Sequence, residues 1–240
     1  MNARIPDNEA ERLAALKEYR ILDSGTEQPY NDITTLAAHI CQVPIATISL
    51  VDEARQWFKA RVGVARLQTQ REIAFCAHTI LQREPLVIPD ARKDRRFANN
   101  ELVSGAPHIR FYAGFPLINR QGLAVGTLCV MDRKPRELSA KQQKAMQALV
   151  RQVMALLEFR RVSVHLADAL NQIKTLQGLL PICAWCKRVR DDEGYWDQVE
   201  AYFHKYTGID FTHGICPECL EKMRPHKGSP QIQRFQQRRG

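Results

Sequence analysis

Four of the seven cysteines form two Cys-x-x-Cys pairs near the end of the 240-residue chain: Cys183 with Cys186, and Cys216 with Cys219. A two-residue gap lets both thiolates of a tight turn face one ion, and two such turns complete the tetrahedral shell that zinc prefers. The segment around the pairs has little sequence that could form a core, so a bound ion would supply much of its folding free energy. The spacing predicts a zinc site at these four residues, in a small zinc-ribbon-like module.

Other interpretations of the cysteine pairs stay open. Cys183 and Cys186 could form a thioredoxin-like redox pair, although no strand-helix-strand pattern surrounds them and the second pair would be unexplained. The thiols could also be free. His213, three residues before Cys216, could replace a cysteine in the shell or support it from outside. Zinc is the interpretation that uses all four cysteines.

The sequence before the pairs predicts helices and strands without regular alternation. Apolar periodicity indicates helices over residues 8–22, 32–42 and 75–81, and strands over residues 46–51, 57–64, 86–88, 111–118 and 123–131. Strands gathered beside helices in this order favour an α+β fold with a mostly antiparallel sheet.

One long connecting helix is predicted between Ser139 and Pro181. Its apolar stripe runs through Met146, Val150, Val153 and Leu157 and, after a shift in phase near Glu158, through Val162, Leu166, Ala169, Ile173, Leu176 and Leu180. A stripe of this length must be buried, either against a second copy in a parallel dimer or against its own domain. We expect residues 139–180 to form a signalling helix that makes a homodimer.

The basic charge of the chain is concentrated in its tail. The formal net charge is +9, and the residues after Leu220 contain six Lys or Arg against Glu221 alone. Such a tail is typical of a solvated, disordered end, so nucleic acid is not an expected partner. No apolar stretch could span a membrane, and the N-terminus lacks the apolar core of a secretory signal. We therefore expect a cytoplasmic protein with reduced cysteines and no membrane contact.

Residues 20 to about 161 resemble the GAF family, in the branch often attached to bacterial diguanylate cyclases and histidine kinases. The matching motifs are Trp57-Phe58-Lys59 with Gly63, Phe75-Cys76-Ala77-His78-Thr79-Ile80, Ile88-Pro89-Asp90-Ala91, Asp94 with Arg95-Arg96-Phe97, Ile109-Arg110-Phe111-Tyr112-Ala113-Gly114, Pro116-Leu117 and Gly126-Thr127-Leu128-Cys129-Val130 with Asp132. The resemblance implies a sheet with helices on one face and a ligand pocket on the other. It implies Cys76, His78, Arg110 and Tyr112 as candidate contacts of an unidentified small molecule, with His78 as a buried structural histidine in the alternative.

Cys76 and Cys129 admit sharper interpretations within this family. One GAF branch reduces free methionine sulfoxide with cysteines in the loop before the last strand pair, but residues 91–109 contain none. Phytochrome-like GAF domains attach a bilin to a cysteine followed directly by histidine, whereas Ala77 separates Cys76 from His78. We therefore expect both thiols to be buried and structural.

Residues 179–219 also resemble a C-terminal module found after response-regulator, PAS and GAF domains in bacteria. The chain contains no histidine-kinase ATP site, P-loop or cyclase motif. We predict a non-enzymatic sensor that binds a small ligand or a partner through its GAF domain and relays the signal by the helix to the zinc module and a signalling protein. The alternatives are a GAF-type free methionine sulfoxide reductase and a nucleic-acid-binding regulator that uses the zinc module and basic tail.

The predicted organisation follows from these assignments. It comprises an N-terminal helix at residues 1–19, a GAF domain at 20–138, the signalling helix at 139–180, the cysteine-rich module at 181–222 and the basic tail at 223–240.

Overall fold

The structure is a computed structural model and describes residues 3–177, 180–191 and 193–223. Contacts divide the chain into two compact units, residues 1–171 and residues 172–240. Within the described part, no helix is long and apolar enough to cross a membrane. The predicted basic tail lies, from residue 224 onward, outside the described residues.

The first unit combines helices with a six-stranded sheet. Its helices are α1 (Glu9–Glu18), α2 (Gln28–Cys41), α3 (Phe75–Thr79), α4 (Glu101–Ser104) and α5 (Ala140–Gln177), the last of which continues into the second unit. Its strands are β1 (Ile45–Val51), β2 (Arg55–Val62), β3 (Gln68–Gln70), β4 (Leu86–Ile88), β5 (Phe111–Ile118) and β6 (Ala124–Asp132). The strand order is β3-β2-β1-β6-β5-β4, and every neighbouring pair is antiparallel. The predicted α+β class, with an antiparallel sheet flanked by helices and a long helix, is confirmed.

The central strands are buried on both faces of the sheet. Side chains alternate between these two faces along each strand. In β1, Ala46, Ile48 and Leu50 join the core that α1, α2 and α5 cover. Thr47 and Ser49 point to the other face, where α3 lies. Strands that are buried on both faces appear in the sequence as continuous apolar runs. The few polar residues of β1 lie on the second face.

The structure corrects several predicted element boundaries. Helix α1 ends at Glu18 rather than at residue 22, because Arg20 has a left-handed backbone with φ 44°. Helix α2 begins at Gln28, four residues earlier than predicted, with Pro29 in its first turn. The sequence pattern missed β3 and α4, which are too short to show periodicity. Asn100 starts α4 by accepting a hydrogen bond on its side chain from the Leu102 N–H at 2.8 Å.

The apolar stripe of α5 changes sides along the helix. Met146, Val153 and Leu157 are completely buried in the core of their own unit, whereas Phe159, Val162, Leu166 and Leu170 are 51–73% exposed. Leu157 and Leu166 are nine residues apart, which is about two and a half helical turns, so the two stripes lie on opposite faces. The first half of the predicted dimer stripe therefore packs on its own domain, as the alternative interpretation stated. Val162 and Leu166 of the second half stay uncovered, whereas Ile173 and Leu176 lie outside the side chains that the structure describes.

The second unit contains a two-stranded hairpin and two helices in its described residues: β7 (Val189–Arg190), β8 (Trp196–Asp197), α6 (Val199–Thr207) and α7 (Pro217–Met223). Val189 is fully buried, but most of the other apolar side chains are exposed. The predicted coreless character of this segment agrees with that exposure.

Candidate functional site

Cys76 and Tyr112 lie together between α3 and the sheet. The Tyr112 hydroxyl is 3.5 Å from Cys76 Sγ and 2.7 Å from Thr79 Oγ1. The rings of Phe75 and Tyr112 are 5.0 Å apart between centroids. Cys76 and Tyr112 are both almost completely buried. Their side chains therefore fill this face of the sheet and do not line an open pocket.

Gly114 makes the position of Tyr112 possible. A Cβ atom added at Gly114 would lie 2.6 Å from Tyr112 Cζ and 2.7 Å from Thr79 Oγ1. Both distances are shorter than van der Waals contact, so a side chain here would displace the tyrosine. The glycine lets the ring lie over its own strand and brings the hydroxyl to Cys76.

His78 occupies an aromatic environment at the edge of this cluster. Its ring packs edge-on against Phe97 at 4.7 Å between centroids, and Phe97 stacks on Phe75 at 4.1 Å. His78 is half-buried. Its ring is thus linked through Phe97 to Phe75, the residue that precedes Cys76.

Arg110 binds backbone carbonyl groups of α4 and of the connection between α4 and β5. Its Nη1 donates to the carbonyl oxygens of Val103 at 2.7 Å and of Ile109 at 3.2 Å. The guanidinium therefore holds the connection before β5 in place. Of the four predicted contact residues, the structure brings Cys76 and Tyr112 together and leaves Arg110 apart.

The second buried thiol of this face, Cys129 on β6, contacts the first. The two Sγ atoms of Cys76 and Cys129 are 3.7 Å apart, and Thr47 Oγ1 lies 3.0 Å from Cys129 Sγ. Burial raises the pKa of Cys76, but hydrogen bonds from Cys129 and from Tyr112 outweigh it, so this pKa is lowered. The same contact with Cys76, together with burial, raises the pKa of Cys129. The thiols are buried as predicted, but their surroundings are polar.

A separate cavity of about 300 Å³ opens beside β2 and β3. It is lined by Thr47, Gln56, Phe58, Gly63, Val64, Ala65, Arg66, Thr69, Leu102, Ala106, Pro107, Ile109, Met131 and Arg133. Two of the lining residues carry a buried side-chain oxygen without a hydrogen-bond partner, namely Oε1 of Gln56 and Oγ1 of Thr69. An unsatisfied buried polar atom is costly, so these two atoms suit a ligand that supplies a hydrogen bond. Cys76, His78, Arg110 and Tyr112 do not line this cavity.

The sequence pattern did not identify Thr47, Gln56 or Thr69. Gln56 does not stand out in β2, which also carries Arg55, Lys59 and Arg61. One signal could have found Thr47, because it and Ser49 are the polar positions of the otherwise apolar strand β1. In a sheet buried on both faces, such positions need a polar partner. Thr69 lies on the short strand β3, for which the sequence carries no pattern.

The first Cys-x-x-Cys pair forms a local turn in the second unit, and the second pair spans the start of α7, which contains Cys219. Cys183 Sγ accepts a hydrogen bond from the Cys186 N–H at 3.4 Å, and Lys187 follows with a left-handed φ of 61°. The backbone N–H of Cys186 lowers the pKa of Cys183, and that of Cys219 lowers the pKa of Cys216. Among the described residues, no three His, Cys, Asp or Glu side chains form a group that could hold a metal ion. The structure therefore builds a local geometry that favours thiolates but does not gather the two pairs, and the zinc-ribbon module is not confirmed.

A curated relative extends the similarity beyond the sheet domain. The chain is 41% identical over 175 residues to a cyclic di-GMP phosphodiesterase of Pseudomonas aeruginosa. The match covers 72% of this chain but 29% of the relative, so the chain spans less than a third of the length of that enzyme.

This relative corrects one prediction of the sequence analysis. We expected a non-enzymatic protein because no kinase, cyclase or P-loop motif is present. A relative of 41% identity that is named as a phosphodiesterase contradicts that expectation.

Solved structures and a family profile complete the comparison. A domain of a two-component sensor histidine kinase from Sinorhizobium meliloti is 17% identical, with a TM-score of 0.46 over 61% of this chain and 99% of that one. The GAF domain of PixJ from Thermosynechococcus elongatus is 13% identical, with a TM-score of 0.49 over 67% of this chain and 96% of that one. The sequence profile of the GAF domain matches residues 26–157, which is more than half of the chain. The chain therefore belongs to the GAF domain family.

Proposed function

We propose that the chain is a ligand-responsive part of cyclic di-GMP phosphodiesterase signalling. The observation that carries this proposal is the 41% identity, over 72% of the chain, to a cyclic di-GMP phosphodiesterase. The GAF domain supplies the sensory role, and the relative supplies the class of output. The chain carries out or controls the hydrolysis of cyclic di-GMP, alone or with a signalling partner.

The cavity beside β2 and β3 is the proposed ligand site. Its lining residues Gln56 and Thr69 each carry a buried oxygen without a partner, so a ligand that offers N–H or O–H groups would suit this wall. Arg66 and Arg133 are exposed residues of its lining and suit an anionic or carbonyl group. This chemistry describes a small polar molecule with a donor at one end and an acceptor at the other.

The second stripe of α5 is the proposed contact between two copies of the chain. Its four side chains are Phe159, Val162, Leu166 and Leu170, all exposed. The opposite face is occupied by the same unit, since Arg20 binds Asp168 at 2.6 Å and the Tyr19 hydroxyl donates to Glu158 at 2.6 Å. A ligand that shifts the GAF domain would therefore act on the helix that holds the dimer together.

Zinc remains our proposal for the cysteine pairs. The turn at Cys183 and Cys186 and the lowered pKa of Cys216 support thiolate character, which metal binding requires. Elemental analysis of the purified chain should find about one zinc per chain, because four thiolates complete one shell. Cys183→Ser should reduce that content, whereas Cys41→Ser, at a buried cysteine in the first unit, should leave it unchanged.

Cellular cyclic di-GMP tests the proposed function. Expression of the chain in a bacterial host should change the level of this dinucleotide, measured by mass spectrometry of extracts. Gln56→Leu should diminish the change because it removes a polar wall of the cavity. Gln147→Leu, at an exposed position of α5, is the matched control and should behave as wild type. An unchanged cyclic di-GMP level on expression of the wild-type chain would contradict the proposal.

Incubation of the purified chain with cyclic di-GMP and Mg²⁺ separates the two routes to that change. Formation of the linear dinucleotide, followed by chromatography, means that the chain carries the phosphodiesterase activity. A cellular effect without this product means that a partner protein carries it.

A further inference from the structure

Two of the buried cysteines face each other across the interface of α3 and the sheet. Cys76 Sγ and Cys129 Sγ are 3.7 Å apart, although the two residues are 53 positions apart in the chain. A disulfide bond requires the two sulfurs at about 2.05 Å, so an approach of roughly 1.7 Å would join them. Cys41, by contrast, lies on α2 in the core of the other face. The three buried thiols of the first unit thus comprise one facing pair and one cysteine outside it.

We propose that Cys76 and Cys129 form an oxidisable dithiol, and that its oxidant is a small hydroperoxide such as hydrogen peroxide. The sites assigned so far do not use this pair, since the ligand cavity and the zinc proposal involve other residues. The inference is independent of the cyclic di-GMP proposal.

Hydrogen-bond donors around Cys76 favour its thiolate, the form that reacts with the peroxide in the first step. The Tyr112 hydroxyl lies 3.5 Å from Cys76 Sγ and is fixed by a 2.7 Å hydrogen bond with Thr79. Together with Cys129 it lowers the pKa of the Cys76 thiol against the effect of burial. A thiolate is the form that reacts with peroxides, so Cys76 is the attacking sulfur.

The reaction balances with hydrogen peroxide as the sole co-reactant. The Cys76 thiolate attacks one peroxide oxygen, the O–O bond breaks, and hydroxide leaves a sulfenic acid behind. The Cys129 sulfur then attacks the sulfenic sulfur, the S–S bond forms, the S–O bond breaks, and water leaves with the Cys129 proton. In total, two thiols give up two electrons and two protons, and one peroxide becomes two waters.

The ligand cavity provides a route to the buried pair. Thr47 lines that cavity, and its Oγ1 also lies 3.0 Å from Cys129 Sγ. The cavity wall is therefore one side chain thick at this point. Hydrogen peroxide is close to water in size and fits a space of about 300 Å³ with ample room. Larger oxidants would pass the same wall more slowly.

Peptide mapping of the full-length chain tests the proposal. Trypsin places Cys76 in residues 72–83, Cys129 in residues 121–133 and Cys41 in residues 21–55, each with one cysteine. After brief treatment of the folded chain with hydrogen peroxide, mass spectrometry should find residues 72–83 joined to residues 121–133 with the loss of two hydrogens. Dithiothreitol should reverse the link. Loss of free Cys76 should be at least about tenfold faster than loss of free Cys41, whose pKa burial raises to about 11.

Three variants complete the test. Cys76→Ser and Cys129→Ser should each abolish the linked peptide, whereas Cys41→Ser, the matched buried control, should retain it. The wild-type measurement can overturn the proposal without any variant, so the test does not depend on whether the variants fold. Free thiols at both positions after treatment, or a link that forms only in urea, would refute the inference. A larger oxidant, tert-butyl hydroperoxide, should form the link more slowly if the route through the cavity is correct.

Discussion

Replacing Leu166 by glutamine should separate the proposed dimer while leaving each chain folded. Leu166 is 58% exposed in the single chain and belongs to the uncovered stripe of α5. The exposed position tolerates glutamine, which has nearly the helix propensity of leucine. The change therefore acts on the contact between copies and not on the fold.

The magnitude follows from the exposed fraction. Complete burial of a leucine side chain contributes about 1.5–3 kcal/mol, so burying the remaining 58% contributes about 1–1.7 kcal/mol per copy. The two copies together lose about 2–3.5 kcal/mol of dimerisation free energy, which raises the dimer dissociation constant about 30- to 300-fold. Desolvation of the glutamine amide would add to this effect.

Sedimentation velocity over a concentration series measures the dissociation constant. Ala167→Gln is the matched control, because Ala167 is also exposed and lies about 100° around the helix from Leu166. It introduces the same side chain outside the stripe and should bind as wild type does. Equal dissociation constants for the two variants, or a wild-type chain that stays monomeric at all concentrations, would refute the reasoning.

Three substitutions test contacts within the first unit by urea unfolding. Gly114→Ala should cost about 2 kcal/mol through its clash with Tyr112, and less in a Tyr112→Phe background that lacks the hydroxyl; an equal cost in both would remove the hydroxyl clash as the cause. Glu9→Gln should cost about 2 kcal/mol at pH 7, because it leaves a buried arginine unpaired. Burial raises the pKa of Glu9, but two arginines lower it from 4.5 to about 2, so its contribution is complete above about pH 4.5 and falls away as the pH drops toward 2. The unfolding midpoints of wild type and variant should converge over that range. Tyr19→Phe removes the hydrogen bond to Glu158 and should cost about 1 kcal/mol, with no loss indicating that solvent replaces the bond.

The sequence by itself determined the fold class and most of the larger elements. Residues 86–88 and 111–118 form strands at the predicted positions, because a short apolar run is a local property of the sequence. The GAF motifs identified the family from about residue 20 onward, and the family profile agrees over residues 26–157. Cys76 and Cys129 were predicted to be buried because neither matches the cysteine pattern of the reductase or bilin-binding branches, and both are buried.

Tertiary structure decided which of these residues meet. The 3.7 Å contact of Cys76 with Cys129 depends on where α3 crosses the sheet, and spacing along the chain does not encode that crossing. The unpartnered Gln56 Oε1 is likewise a property of the packed cavity and not of its strand.

The two faces of α5 show the same division. Periodicity located both apolar stripes and the phase shift between them, because the helical repeat is a local property of the chain. That Leu157 packs on its own sheet while Leu166 stays uncovered depends on where the domain ends along the helix. An apolar stripe in the sequence indicates side chains that must be buried, and the tertiary structure decides which surface buries them.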